Sequence, residues 1–141
     1  MAGYRFLEHT ADVYIEAEGN SLEAAFEQAS LALYDTLTDV KLIEPSRKQP
    51  LRIEAEDLQS LLFELINEFL YLFDTEQLLF SQFKWVIQQV QGGYLLEGDC
   101  WGETFQVEKH PPRTEIKAPT YHLMEIIQNP SNVILRFVVD I

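Results

Sequence analysis

Val133-Ile134-Leu135-Arg136-Phe137-Val138-Val139-Asp140-Ile141 closes the chain, and its reading decides the fold. From Val133 to Val139 every position is apolar except Arg136, the pattern of a central, well-covered strand. At the opposite end, Tyr4 to His9 and Val13 to Glu18 read as short strands around the turn His9-Thr10-Ala11-Asp12. Asp12 and Asp140 each then sit at the tip of an apolar strand, and Asp140 lies one residue from the α-carboxylate of Ile141. If the fold sets these strands side by side, two side-chain carboxylates and a chain terminus converge. Unpaired charges at that range repel by several kcal/mol at intermediate dielectric, following roughly 332/(εr). A hard cation with oxygen ligands relieves the repulsion. The expectation is a metal site built from the chain's extremities.

Between these ends the sequence alternates helical and strand periods. Asn20, with Glu23 three residues on, offers a capping box. Leu22, Phe26, Ala29, Leu33 and Leu37 follow at helical spacing, which predicts a helix over 21–38 with Glu27 on its exposed part. A surface connection runs over 39–50. Leu51, Ile53 and Ala55 alternate with charged residues as in a half-buried strand. Asp57 caps a second helix whose apolar face is Leu58, Leu61, Leu62, Leu65, Phe69 and Leu72. Phe83, Trp85 and Ile87 mark a strand that returns through a Gly92-Gly93 hairpin turn to Tyr94–Trp101. The stretch 102–112 reads as a loop, 114–117 and 121–127 as extended, with Pro119 at a bulge or edge. Asn129-Pro130-Ser131-Asn132 is a turn. Two helices on one mostly antiparallel sheet is the economical arrangement, a two-layer α+β sandwich.

A chain of 141 residues suits one domain, 1–141, around one core. Its hydrophobic fraction of 47%, with nine Phe, six Tyr and two Trp, argues against disorder. The net charge of −13 repels phosphate backbones, so no direct nucleic-acid binding is expected. Lone Cys100 excludes an internal disulfide and any multi-cysteine zinc motif. The start lacks a signal-peptide core, and the greasiest stretch, Leu61 to Phe73, is broken by Glu64, Asn67 and Glu68. A soluble cytoplasmic protein, without membrane association, is the expectation.

The order of elements carries a resemblance. His9-Thr10-Ala11-Asp12, Gly102-Glu103, His110, the stretch Glu115-Ile116-Lys117-Ala118-Pro119-Thr120-Tyr121-His122 and the Val138-Val139-Asp140-Ile141 end arrive in the order found in the archease family. Over essentially its whole length the chain resembles that family. The resemblance implies an accessory protein, not an enzyme. Its partner would be the catalytic subunit of the tRNA-splicing RNA ligase, which joins 3′-phosphate (or 2′,3′-cyclic phosphate) and 5′-hydroxyl RNA ends. The family promotes guanylylation of a ligase histidine and permits multiple turnover. The resemblance further implies a divalent metal ion, calcium with magnesium or manganese as alternatives, held by Asp12, Asp140 and Ile141. It singles out Lys117 as a functional candidate beside His9. Pro119 departs from the aliphatic residue many relatives carry.

Each candidate has a plainer reading. Asp12 can be a turn residue accepting a backbone amide. Asp140 can be solvated or paired, and Lys117 an ordinary surface lysine. His9 and His122 invite a zinc reading, but a His-x-x-Asp spacing without matched ligands is a weak signal, and carboxylate ligation ranks above it. No nucleophile–base pair or phosphate-cradling glycine loop is visible. A metal-dependent phosphoesterase and a general chaperone-like module rank below ligase activation.

Overall fold

The computed structural model of the protein describes residues 2–8 and 12–141. In chain order the elements are β1 (Gly3–Leu7), β2 (Val13–Gly19), α1 (Leu22–Leu37), β3 (Arg47–Ala55), α2 (Leu58–Glu76), β4 (Leu78–Val90), β5 (Gly93–Thr104), β6 (Ala118–Pro119), β7 (Glu125–Gln128) and β8 (Val133–Asp140). The architecture is α+β, two helices packed on antiparallel sheets.

β8 is flanked on both edges, as its apolar run requires. β2 pairs along one edge from Val13↔Val139 to Gly19↔Val133. The other edge is shared by β7, opposite residues 133–136, and β6, opposite 139 and 140. β1 completes this sheet outside β2. Leu135, Phe137 and Val139 are fully buried beneath the helices, with Ile15 and Ala17 of β2 beside them. Arg136, the one polar break in the run, stands on the other face in a row of alternating charge. Its guanidinium bonds Glu16 at 2.8 Å and Glu125 at 3.2 Å, and Arg5 of β1 bonds Glu16 at 2.6 Å. These hydrogen bonds, led by the one from Arg5, hold the Glu16 carboxyl below its usual range.

The expected single sheet is two. β3, β5 and β4 form a separate three-stranded sheet from the middle of the chain. Helix α1 is what keeps them apart, because it occupies the free edge of β4. Glu27 accepts a hydrogen bond from the Trp85 N–H at 3.1 Å, and Glu23 accepts one from the Ile87 N–H at 3.3 Å. These backbone donors would otherwise invite another strand. Glu27 is therefore half-buried and engaged, not exposed. The capping box also fails: Ser21, not Asn20, caps α1 by accepting from the Ala24 N–H, while Glu23 is taken by β4.

Asp57 caps α2 as expected, accepting from the Ser60 N–H at 2.7 Å, and the predicted apolar face is buried throughout. Phe26, Leu33, Leu61 and Leu62 are each fully buried. Each contributes roughly 1.5–3 kcal/mol relative to exposure. The Tyr34 ring lies 5.1 Å from Phe69 and stacks on Phe83 at 6.0 Å. The hairpin turn falls one residue earlier than predicted. Val90 pairs with Gly93, so Gln91-Gly92 form the turn and Gly92 takes the positive φ of 84°. β5 runs on through Glu103, inside the expected loop. It does so beside a bulge in β4 between Phe80 and Gln82, where a Cβ on Gly102 would collide with the Leu79 carbonyl. The predicted extension over 121–127 is interrupted by a turn before β7 begins.

Candidate acidic site at the end of the first sheet

The β2–β8 register decides where the predicted ligands fall. Val13↔Val139 is its terminal rung, with Asp12 immediately before and Asp140 immediately after. Asp12 and Asp140 therefore flank that last rung, one on each strand. On the other edge Ala118 pairs with Asp140, and the Lys117 N–H donates to the Asp140 carbonyl at 2.7 Å. Asp12, Asp140, Ile141 and Lys117 thus share one end of the sheet. His9 lies outside the described residues. His122 is exposed in the turn after β6.

Asp140 and Lys117 are exposed and Asp12 half-buried. In water-like surroundings two carboxylates at about 5 Å repel by roughly 1 kcal/mol, not several. Relief of repulsion therefore does not by itself demand a cation. The donor chemistry still fits one, since both side chains and the α-carboxylate of Ile141 offer only oxygen. Among the described residues no three carboxylate, imidazole or thiolate side chains gather as a metal site would need. Two aspartates alone are an incomplete shell.

A strap over residues 111–117 ties this end to the helices. Thr38 Oγ1 donates to the Pro111 carbonyl at 2.8 Å. The Arg113 and Thr114 N–H groups donate to the carbonyls of Leu37 and Thr36, satisfying acceptors that the last turn of α1 leaves open. The Arg113 guanidinium adds bonds to the Asp35 carbonyl and carboxylate at 2.9 and 3.0 Å, placing a cation at the negative end of the helix. Tyr4 Oη donates to the same carboxylate at 3.0 Å, and burial followed by this bond pushes the phenol up to about 12. The strap parts two cavities. One of about 310 Å³ is bordered by Asp12, Phe6 and Arg113. The other, about 620 Å³, has walls of Leu70, Phe73, Phe105 and Ile116, with Lys117 at its margin.

Glu103 and His110 form a second polar centre whose role the sequence did not disclose. His110 is wholly buried. Its Nδ1 accepts from the Gln106 N–H at 2.9 Å, so the proton sits on Nε2, 2.8 Å from Glu103 Oε2. Glu103 also accepts from the Glu44 N–H at 3.0 Å and from the Lys109 ammonium at 2.9 Å. Burial opposes ionisation, yet these donors outweigh it and hold the carboxyl at about 2. The cluster folds 105–110 back onto β5. It is enclosed and satisfied, which marks it as structural. Gly102-Glu103 and His110 were visible in the sequence, but nothing in their spacing disclosed that they meet.

A sheet stitched from early and late segments of the chain, backed by two helices and with Asp12 and Asp140 beside its last β2–β8 rung, defines a small α+β class of protein with an acidic strand end. The sequence model of the Archease protein family (MTH1598/TM1083) matches residues 4–141, and the chain belongs to that family. The protein archease of Pyrococcus furiosus is 45% identical over 130 residues, 92% of each chain. That of Sulfolobus acidocaldarius is 44% identical over 141 residues, the full length of both. The solution structure of Methanobacterium thermoautotrophicum protein 1598 superposes with a TM-score of 0.85 at 38% identity, covering 99% of each chain.

Proposed function

We propose that this chain is an accessory protein that activates the tRNA-splicing RNA ligase in the cytoplasm, promoting its guanylylation and multiple turnover through the acidic strand end. The observation that supports the reading is the β2–β8 register, whose last rung Val13↔Val139 is flanked by Asp12 and Asp140, with the Lys117 N–H bonded to the Asp140 carbonyl. Asp12, Asp140 and the Ile141 carboxylate would hold a hard divalent cation, calcium or else magnesium or manganese. Such an ion, when bound, supplies positive charge toward phosphate oxygens. The chain's own groups do the rest. Asp140, exposed at the strand tip, presents its carboxylate to a basic pocket of the ligase. Lys117 sets the charge of the pair or meets a phosphate. The net charge of −13 speeds encounter with a basic partner and makes it salt-sensitive, and it disfavours direct RNA contact. No catalytic residue is assigned to the chain, because the ligase performs the chemistry.

RNA joining by the cognate ligase, in single- and multiple-turnover form with and without this chain, tests the reading. Asp140→Ala should abolish stimulation while shifting thermal stability little, since it changes an exposed strand end. Asp12→Ala should weaken calcium or manganese binding by calorimetry with the core intact. Exposed Glu56 is the suitable control, and its alanine variant should stimulate like the parent. Full stimulation by Asp140→Ala would make the strand end structural and refute the proposal.

A further inference from the structure

Leu123 adopts a φ of 57°, in the left-handed region that a branched apolar residue rarely enters. It lies in the turn between β6 and β7. Thr120 Oγ1 donates to the Val138 carbonyl at 2.9 Å, the Met124 N–H donates to the Tyr121 carbonyl at 3.2 Å, and the chain rejoins β8 at Glu125↔Arg136. This path requires one residue of positive φ. It does not require leucine. Glycine or asparagine takes that conformation more cheaply than a leucine, whose Cβ crowds the following carbonyl there. Burial does not account for the choice either, because Leu123 is 44% exposed.

Its neighbour points the same way. Tyr121 is 53% exposed, yet its ring lies flat on Phe63 of α2, with centroids 4.4 Å apart and planes 6° from parallel. That stacking fixes an aromatic ring at the surface. Ile141, next in the chain to Asp140, is a third exposed apolar side chain. The turn leaves the β8 edge opposite Val138, about 7 Å along the strand from Asp140. A rigid aromatic and a strained leucine therefore flank the acidic strand end.

We propose that Tyr121 and Leu123 form an apolar anchor that seats the acidic strand end on the RNA ligase, a proposal that rests on the ligase reading above. The matching surface is an apolar depression rimmed by positive charge, as the charge of this chain requires. Electrostatics governs encounter, while a buried aromatic and aliphatic pair governs how long the complex lasts. The presence of leucine at a position of backbone strain then has a cause outside the chain itself.

The test compares the parent chain, Leu123→Asn, Leu123→Gly and Tyr121→Ser in affinity for the purified cognate ligase, thermal midpoint, and ligase guanylylation at saturating chain. Leu123→Asn should melt at the same temperature as the parent or higher and bind about 10-fold more weakly. It should still stimulate fully at saturation, unlike Asp140→Ala. Leu123→Gly should match it in affinity, and Tyr121→Ser should weaken binding similarly. Undiminished affinity in all three variants overturns the anchor while leaving the ligase reading intact. A clear fall in thermal midpoint for Leu123→Asn also overturns it, by showing that the leucine is kept for packing. Absence of any binding by the parent chain overturns the ligase reading and the anchor together.

Discussion

Glu103 shows how a single buried carboxylate couples the fold to pH. Its folded value of about 2 lies below the ordinary 4.5, so the unfolded chain binds its proton more readily than the folded one. The stabilisation is fully present above about pH 4.5 and is lost as pH falls toward 2. Urea denaturation at a series of pH values should show stability declining across that window, and Glu103→Gln should flatten the decline. An unchanged pH slope in the variant would show that other groups carry it. His110 belongs to the same unit, since it donates to Glu103 while accepting from Gln106. This centre was illegible in the sequence because its members obey no period. Glu44, Glu103, Lys109 and His110 meet only once β5 runs past its expected end. Asp12, Asp140 and Ile141, by contrast, could be placed together from the two strand tips alone. Ligation of a cation does not follow from that placement, because exposure as well as position sets how strongly such carboxylates repel.

At the scale of elements, the edge of β4 is the instructive case. Glu23 and Glu27, one turn apart on α1, reach Ile87 and Trp85, two residues apart on the strand. Burial raises the Glu27 carboxyl pKa, partly offset by the Trp85 bond. Glu27→Ala leaves the Trp85 N–H without that acceptor and should destabilise by about 1–3 kcal/mol in urea denaturation. A change within experimental error would mean that water replaces the carboxylate at no cost. Helices and strand cores were legible because 3.6- and 2-residue periods survive in α1, α2 and β4. Strand limits were not. β3 begins at Arg47, through Lys48, Gln49 and Pro50, because it is an edge strand paired only to β5 and tolerates polar residues and a proline there. The turn holding Leu123 reads as extended in the sequence because its side chains are those of a strand, while its backbone is not.

Seen whole, the molecule consists of two sheets of opposite provenance. One draws on residues 3–19 and 118–140, the other on 47–104 alone. The sequence made the apolar centre of β8 and its two-sided pairing plain. The division into two sheets was hidden, since it depends on a helix occupying a strand edge, and no periodicity records that. Among the described residues no helix is long and apolar enough to cross a membrane. The split has a consequence for how the protein is made. As the chain leaves the ribosome, β3, α2, β4 and β5 already have their partners, whereas β2 must wait more than a hundred residues for β8. Closing so long a loop is slow relative to local pairing. Pulse-labelled hydrogen exchange during refolding should therefore protect the amides of β4 and β5 before those of β2 and β8, and earlier protection of β2 would contradict this order. The acidic strand end is then the last feature to form. A chain interrupted before β8 emerges cannot present it, because Asp140 is then missing and β2 has no partner on that edge.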